Sequence, residues 1–417
     1  MASFFIKTFG CQFNELYSGA IADALLRAGN ERTADLEKAS LVIINSCAVR
    51  KKSEDKALSF LGEAAKVLDA RHIVFMGCVA SLDRERPLRI AGHGLTTIEG
   101  SRSLDEVLEI LGRLVPTAPF DGPPRSLFPT ADIELIRGCE SYCTYCIVPT
   151  SRGREVAVDS DRVLLSVKSA VEDGFSELLF LGQNINKYHS QAGGLVDMMS
   201  LVDRTSGSFW FWFLSPHPAN FRPDEVRRLM QLKHIEHRLH LPLQSGSDHI
   251  LERMNRRYTL AQYAELAKAV RDNQEWALTT DVIVGFPGET DDDFAQTVDA
   301  VQRFHFDGVF LAKYSDRPGT PSSRMQDKVP RAVIDKRHST LLRIVQDLSE
   351  QSNEKMTGHL VDVLVLSLNH AGGGFGRSID GRNVWFGRTE YQPVVGSFLR
   401  VMVDHASREG LYGTAVG

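Results

Sequence analysis

The 417-residue sequence predicts an α/β chain ending in a small antiparallel β-barrel. Three observations predict it: a βαβαβ alternation at the start, six further apolar runs separated by helical patterns, and a switch to short alternating segments with glycine turns from about residue 354.

The runs SFFIKTF (3–9), LVIINS (41–46) and HIVFMG (72–77) are short and apolar, as buried strands are, and the stretches near 14–28 and 51–69 between them are amphipathic. Parallel strands result. Cys11, Cys47 and Cys78 stand at or just beyond the C-terminal ends of these strands, the ends that line the crevice of an open α/β sheet. The Pro/Gly-rich DGPPRSLFP (121–129) is expected to be a linker. Strand-like runs follow at 132–138, 177–183, 208–215, 237–244, 279–286 and 307–314, with helical patterns at 160–173, 222–232, 260–275 and 291–304. Six β-α units imply a partial TIM-like barrel with its reactive groups at the C-terminal mouth. Beyond residue 354 come HLVDVLVLSL, AGGGFGRS, NVWFGR and SFLRVMVDHA, the strands of the small barrel. Gly372, Gly373 and Gly374 suit a hairpin turn, since no Lys-Ser/Thr pair or helix start follows them. The expected domains are 1–120, 121–353 and 354–417.

Composition excludes several classes. At 43% hydrophobic and 24% charged residues the chain is of ordinary soluble type. Its opening MASFFIKTFGCQFNE is neither a secretory signal nor a membrane span. The cytoplasm is the expected location, without a membrane partner. A net charge of -5 gives no overall attraction to a polyanion, so only a local basic surface would bind nucleic acid. The six cysteines are sparse for this length, and CxxxCxxC is too tight to pair internally without strain, so ligating thiols are expected rather than disulfides.

Those cysteines form two groups of three: Cys139, Cys143 and Cys146 in RGCESYCTYCIVP, and Cys11, Cys47 and Cys78. Three thiolates are one short of the four that close a structural zinc site or an ordinary iron–sulfur cluster. Each trio therefore suggests a metal centre with one position left for chemistry. Tyr145, immediately before Cys146, would sit against whatever occupies that position in the Cys139, Cys143 and Cys146 trio.

CxxxCxYC resembles the radical S-adenosylmethionine (SAM) superfamily, whose members split that cofactor reductively at a 4Fe-4S cluster. TFGCQFN, INSCAVR and FMGC resemble the cysteine motifs of the methylthiotransferases, which hold a second 4Fe-4S cluster. Further matching segments are CTYCIVPTSRGRE, LGQNIN, FLSPHP, HLPLQSGSDHIL with MNRRYT, TTDVIVGFPGET and YSDRPGTP. The C-terminal GRSIDGRNVWF and VVGSFLRVMV are similar to a TRAM domain, an RNA-binding barrel. CQFN followed by NSCAVRKKSEDKALSFLG is most similar to the MiaB type, although Tyr17-Ser18 stands where that pattern has Asp-Ser.

The resemblance implies a flavodoxin-like N-terminal domain with the auxiliary cluster on Cys11, Cys47 and Cys78, and a radical SAM barrel with its cluster on Cys139, Cys143 and Cys146. It implies two uses of SAM: one molecule gives a methyl group to a sulfur on the auxiliary cluster, and another yields the radical that takes hydrogen from C2 of N6-isopentenyladenosine beside the tRNA anticodon. The anticodon stem-loop and a low-potential electron donor such as flavodoxin or ferredoxin are the implied partners of a monomer. The same chemistry on threonylcarbamoyladenosine or on a ribosomal-protein aspartate is the alternative, and a non-catalytic RNA-binding iron–sulfur sensor is the alternative of another class.

Several residues have two readings. Gly285, Phe286, Pro287 and Gly288 close the fifth barrel strand where backbone groups could meet adenine, although Gly and Pro equally suit a plain turn; the resemblance favours the cofactor. Gln183, Asn184, Ser215, His217, Gln244 and Ser245 share end-of-strand positions suited to polar contacts with cofactor or substrate. His234, His237 and His240 form HxxHxxH, but the segment runs from helix to strand, so no helical face presents all three. The aromatic run Phe209 to Leu214 is expected to be a buried strand. In residues 355–417 six Lys/Arg face five Asp/Glu, so only clustering of the arginines would make an RNA footprint. Arg152 and Arg154 are read either as anion contacts or as members of structural ion pairs.

Overall fold

The computed structural model describes residues 2–120, 122–124, 128–370, 372–388 and 392–416. Positions 121 and 125–127 of the predicted linker lie outside the described residues. The chain divides into two compact units: Met1–Tyr142 with Cys146–Ala170 and Phe180–Gln183, and Cys143–Tyr145 with Val171–Leu179 and Asn184–Gly417.

The first unit is built on β1 (Ser3–Thr8), α1 (Gln12–Arg27), β2 (Glu31–Arg32), β3 (Leu41–Ser46), α2 (Lys51–Val67), β4 (Ile73–Gly77), α3 (Cys78–Leu82), α4 (Glu85–Ala91), β5 (Thr96–Glu99) and α5 (Leu104–Gly112). Its sheet has the order β2-β1-β3-β4-β5 with every pairing parallel, the flavodoxin-like arrangement. Every residue of β3 and β4 is buried, because helices cover both faces. Val42, Ile44, Ile73 and Phe75 pack with Leu58 and Leu61 of α2, and the cluster reaches Cys78 and Ile147. A Ser103–Glu106 capping box starts α5.

Next come β6 (Thr130–Glu134), β7 (Ile136–Arg137), α6 (Val148–Arg152), β8 (Val156–Ala157), α7 (Ser160–Glu172) and β9 (Glu177–Leu181), whose last two residues belong to the first unit and whose first three belong to the second. In the first unit Leu135 N donates to Leu181 O, beside β6.

The second unit continues with β10 (His189–Ser190), β11 (Gly193–Gly194), α8 (Leu195–Val202), β12 (Trp210–Phe213), α9 (Pro223–Leu229), β13 (Arg238–His240), α10 (Asp248–Arg253), α11 (Leu260–Arg271), β14 (Ala277–Val284), α12 (Asp291–Arg303), β15 (Gly308–Lys313) and α13 (Arg331–Glu354). The strands β13, β14 and β15 form a parallel sheet in chain order. A parallel bridge from Phe211 to Ile235 connects β12 to the segment entering β13. Each of the six predicted β-α strands is thus present. The long α13, which no sequence pattern picked out, packs along β15.

Last come β16 (Leu360–Leu368), β17 (Gly374–Ser378), β18 (Asn383–Phe386), β19 (Phe398–Ser407) and β20 (Gly410–Val416), closed as β16-β17-β18-β20-β19 around Val363, Val365, Val384, Val401 and Leu411. Four of its pairings are antiparallel, but β18 and β20 run parallel. Gly372 and Gly373 make the predicted hairpin turn, with Asn369 N donating to Gly373 O. On the outer surface Phe375, Trp385, Tyr412 and His405 form a cross-strand row. Tyr412 stacks on both Trp385 and His405 at centroid distances of 5.0 and 4.7 Å, so the ring faces are largely spent on one another.

Two barrel arginines turn inward. Arg377 pairs with the buried Glu177, and Arg382 reaches Asp307 at 2.9 Å. They are committed to internal ion pairs, which removes them from the basic surface counted in the sequence. Among the described residues no helix is long and apolar enough to cross a membrane.

Candidate functional site

The first cysteine trio is assembled by sheet order. β1, β3 and β4 are neighbours, and Cys11, Cys47 and Cys78 follow their C-terminal ends by three, one and one residues. Three adjacent strands span only about 10 Å, so residues distant in sequence share one sheet edge. No disulfide joins any of the six cysteines.

Glycines make the approach possible. A Cβ on Gly10 (φ +141°) would fall 2.4 Å from Cys47 Cβ and 3.1 Å from its Sγ, and one on Gly100 would fall 3.1 Å from Cys78 N. Asn14, one turn into α1 and fully buried, donates to Phe9 O and Ser46 O at 3.1 Å each, which ties the Cys11 loop to the Cys47 loop. Its Oδ1 accepts from Arg152 Nη2 at 2.6 Å. That guanidinium is buried, lies 4.4 Å over the Phe13 ring, and hydrogen-bonds to Cys78. Arg152 ends α6, which starts two residues after Cys146 and packs on α3. Sequence left its role open; the structure puts it beside the first trio.

A hydrogen bond with Cys47 holds the Cys11 thiol down at about 5 against the opposing effect of burial, and Arg152 adds to the lowering. The same contact and burial push Cys47 up, so the two titrate as one unit. Asn14 was not picked out from sequence, although its place three residues after Cys11 in CQFN is the signal that could have found it.

Tyr17, where the family pattern has Asp, is buried in the first unit. Its hydroxyl lies 3.1 Å from Glu134 Oε2 and accepts from Arg137 Nη1 at 3.3 Å, while its ring stacks on Phe13. Ser18 bridges Thr8 and Asn45.

In the first unit the loop of the second trio is shaped by Gly138 (φ +82°), where a Cβ would meet Arg154 O at 1.9 Å. Gln183 Oε1 accepts from Gly138 N at 2.6 Å, so this side chain supports the loop's backbone. Cys139 N donates to Gly153 O at 3.2 Å.

In the second unit Cys143 Sγ has Arg256 Nη1 at 3.4 Å and His217 Nε2 at 4.0 Å. His217 Nδ1 accepts from Ala219 N at 3.2 Å, which leaves the ring proton on Nε2, toward the thiol. Burial, then Arg256, Arg257 and Lys187, hold this imidazole neutral, with a pKa of about 2. Tyr145 meets Phe286 edge-on at 6.4 Å, and both pack with Ile250, Met254 and Tyr314. Phe286 is fully buried. Gly285 (φ +77°) has its N–H on Glu289 Oε2 at 2.8 Å, and Glu289 is held by Arg337 of α13 at 2.7 Å.

Ser215 and Gln244 both have positive φ, 61° and 68°, an uncommon conformation for side-chain-bearing residues and one that collects at functional sites. Ser245 is spent on Thr297 and Ser247, and Asn184 accepts from Asn220 at 3.0 Å. His234, His237 and His240 do not converge: they meet Asp203, Trp276 and the Thr279–Asp281 pair respectively. Phe209, Phe211 and Phe213 are buried, while Trp210 lies against Phe398 and Trp212 under Arg238. Arg256 was missed because nothing in MNRRYT distinguishes a buried guanidinium from a surface one.

Among the described residues no three His, Cys, Asp or Glu side chains gather at a single metal ion. In a multinuclear iron–sulfur cluster the thiolates ligate different irons, so a fitting donor set need not meet at one point. Thiol-only trios with one ligand missing suit such a cluster.

Residues 133–301 match the Radical SAM superfamily, and residues 3–94 match Uncharacterized protein family UPF0004. Over nearly the whole chain the sequence is 34% identical to a tRNA-2-methylthio-N(6)-dimethylallyladenosine synthase of Thermotoga petrophila, covering 99% of this chain and 97% of the relative. A relative of the same name from Thermosipho africanus is 35% identical, with 99% of each chain covered. The chain belongs to the MiaB-type radical SAM methylthiotransferases. The Mycobacterium tuberculosis relative is 34% identical, over 98% of this methylthiotransferase and 81% of its own length. Among solved structures, the radical S-adenosylmethionine methyltransferase TsrM from Kitasatospora setae shares the fold (TM-score 0.59, 13% identity, 78% and 75% of the two chains). The cobalamin-dependent radical enzyme OxsB also shares it (TM-score 0.53, 11% identity, 83% and 56%). As a radical SAM enzyme, the methylthiotransferase works with S-adenosylmethionine and a 4Fe-4S cluster.

Proposed function

We propose that this enzyme adds a methylthio group to C2 of N6-isopentenyladenosine next to the anticodon of tRNA. Two 4Fe-4S clusters would serve it, one on Cys139, Cys143 and Cys146 and one on Cys11, Cys47 and Cys78. The observation that carries the reading is the gathering of Cys11, Cys47 and Cys78 at the ends of three neighbouring strands, with the Arg152 guanidinium beside them. When bound, SAM and the clusters supply the reductive cleavage and the sulfur that an unreactive aromatic C–H requires.

The chain's own residues supply position and charge. Asn14 and Gly10 hold the Cys11 and Cys47 loops together. Gln183 fixes the backbone before Cys139, and the Gly285 turn, braced by Glu289 and Arg337, is the proposed adenine contact. Tyr145, Asn184, Ser215, His217, Gln244, Ser245 and Phe286 are assigned to the cofactor's surroundings. Residues 1–120, 121–353 and 354–417 form the three functional parts, and the enzyme acts in the cytoplasm as a monomer with a low-potential electron donor.

Anaerobic reconstitution is expected to load about eight irons per chain, and C11A, C47A or C78A to lower that to about four. These variants keep the production of 5′-deoxyadenosine and lose methylthiolation. A parent chain that loads only about four irons would remove the sulfur-donor half of the reading. Mass spectrometry of tRNA nucleosides from a strain lacking the protein should show loss of the 2-methylthio-isopentenyl form. Loss of a methylthiolated threonylcarbamoyl form instead would move the enzyme to that substrate.

A further inference from the structure

We propose that Arg256 is a positioning residue that sets the electron affinity of the cluster on Cys139, Cys143 and Cys146 through its hydrogen bond to the Cys143 sulfur. The inference rests on the reading that this trio holds a 4Fe-4S cluster.

Arg256 is buried, and each part of its guanidinium is engaged. Nη2 donates to Pro242 O at 3.1 Å, Nε to Tyr258 Oη at 3.4 Å, and Nη1 to Cys143 Sγ at 3.4 Å. Tyr258 in turn donates to Leu243 O at 2.6 Å, which fixes the ring that carries the Nε contact. Both neighbours of Arg256 in the chain, Asn255 and Arg257, have φ of 58°. Two left-handed residues in three make a costly turn, and here the residue between them is the one turned into the protein. The same loop grips the residue after Cys143: Thr144 N donates to Met254 O at 3.0 Å and Thr144 Oγ1 to Arg253 O at 2.9 Å. The spacing of guanidinium and sulfur is therefore set by the backbone on both sides.

Reduction adds one electron, drawn from a low-potential donor, and places more negative charge on the ligating sulfurs. A cationic N–H···S bond strengthens with that charge and favours the reduced form. The guanidinium stays protonated throughout, so no proton accompanies the electron. The buried positive charge itself also favours the reduced form, and the bond to Cys143 fixes that charge at the sulfur.

The test uses the full chain, reconstituted anaerobically and titrated with dithionite and mediators, following by EPR the signal that changes on adding SAM. R256Q should shift the ratio of oxidised to reduced cluster about tenfold toward oxidised, which for one electron is a midpoint about 59 mV lower. R256K, which keeps a cation without the planar fork, should recover part of the shift. An unchanged midpoint in R256Q overturns the inference; if R256Q takes up no iron, an unchanged midpoint in R256K overturns it instead. Failure of both variants to load iron while the parent loads it also overturns the inference, since the side chain would then be a structural support. A parent chain without any SAM-sensitive signal would instead defeat the cluster reading itself.

Discussion

Replacing Gly10 by alanine tests whether the Cys11 and Cys47 loops need their close approach. Two penalties add at this position. The backbone is at φ +141°, which a side-chain-bearing residue tolerates at a cost of about 1–3 kcal/mol. The new methyl would also stand 2.4 Å from Cys47 Cβ and 3.1 Å from its Sγ, contacts that force the loops apart and cost a further ~1–3 kcal/mol. Gly29 provides the control, because its φ is +83° but nothing lies within 4 Å of an added Cβ. G29A carries a left-handed backbone penalty with no contact, so the excess loss in G10A reports its more restrictive φ together with the contacts to Cys47 and Asn14. That difference is worth roughly 1–3 °C in melting temperature, at about 1 °C per kcal/mol for a chain of 417 residues. The assay is thermal unfolding of the iron-free chain by circular dichroism, paired with iron content after reconstitution. G10A is expected to melt below G29A and to lose about half of its iron, whereas G29A keeps all of it. A G10A protein with the same melting temperature and iron content as G29A would refute the argument that the glycine exists to seat the two thiols.

Asp293 gives a pH dependence. Burial opposes its ionisation, but hydrogen bonds from Ser247, from the Thr290 backbone and hydroxyl, and from His249 outweigh it and hold the pKa near 2. Because the folded value lies below the unfolded one, its contribution of about 2 kcal/mol is complete above pH 4 and is lost as pH falls toward 2; D293N should flatten urea-midpoint measurements across that window. Y17F removes a hydroxyl but leaves the Glu134–Arg137 pair at 2.8 Å, so it should cost about 1 kcal/mol in urea unfolding and leave iron uptake unchanged. An unaltered urea midpoint would show that the hydroxyl is dispensable. R337M strands the buried Glu289 carboxylate, and a loss of about 3–5 kcal/mol is expected, read by the same unfolding curve.

Much of this fold is legible because its strands are buried on both faces. LVIINS and IVFMG leave no face to water, and such continuous buried runs bounded by turns announce a parallel sheet. The helix α13 was not legible for the opposite reason. Over 24 residues only Ile334, Leu341 and Val345 among its apolar side chains are buried, too thin a stripe to separate from a polar segment. The parallel pairing of β18 with β20 was equally hidden, since alternation fixes which face of a strand is inside but not which strand lies beside it. At the site, the six cysteines could be named from spacing, and so could the positions of Gly285, Ser215 and Gln244. What Gln183, Ser245 and Asn184 touch could not, because an end-of-strand polar residue looks the same whether it supports a loop or faces a ligand.

The sequence by itself determined the chemistry available here: two sets of three thiols, the strands that carry them, and the motifs of a radical SAM methylthiotransferase. Tertiary structure decided which charges attend those thiols. Arg152 could have been a surface contact and Arg256 an ordinary loop arginine, yet one lies beside Asn14 and Cys78 and the other against Cys143. The physical reason is that a thiol's reactivity is set by the charges and donors packed within a few ångströms of it. Those neighbours come from residues far away along the chain, which local sequence pattern does not encode.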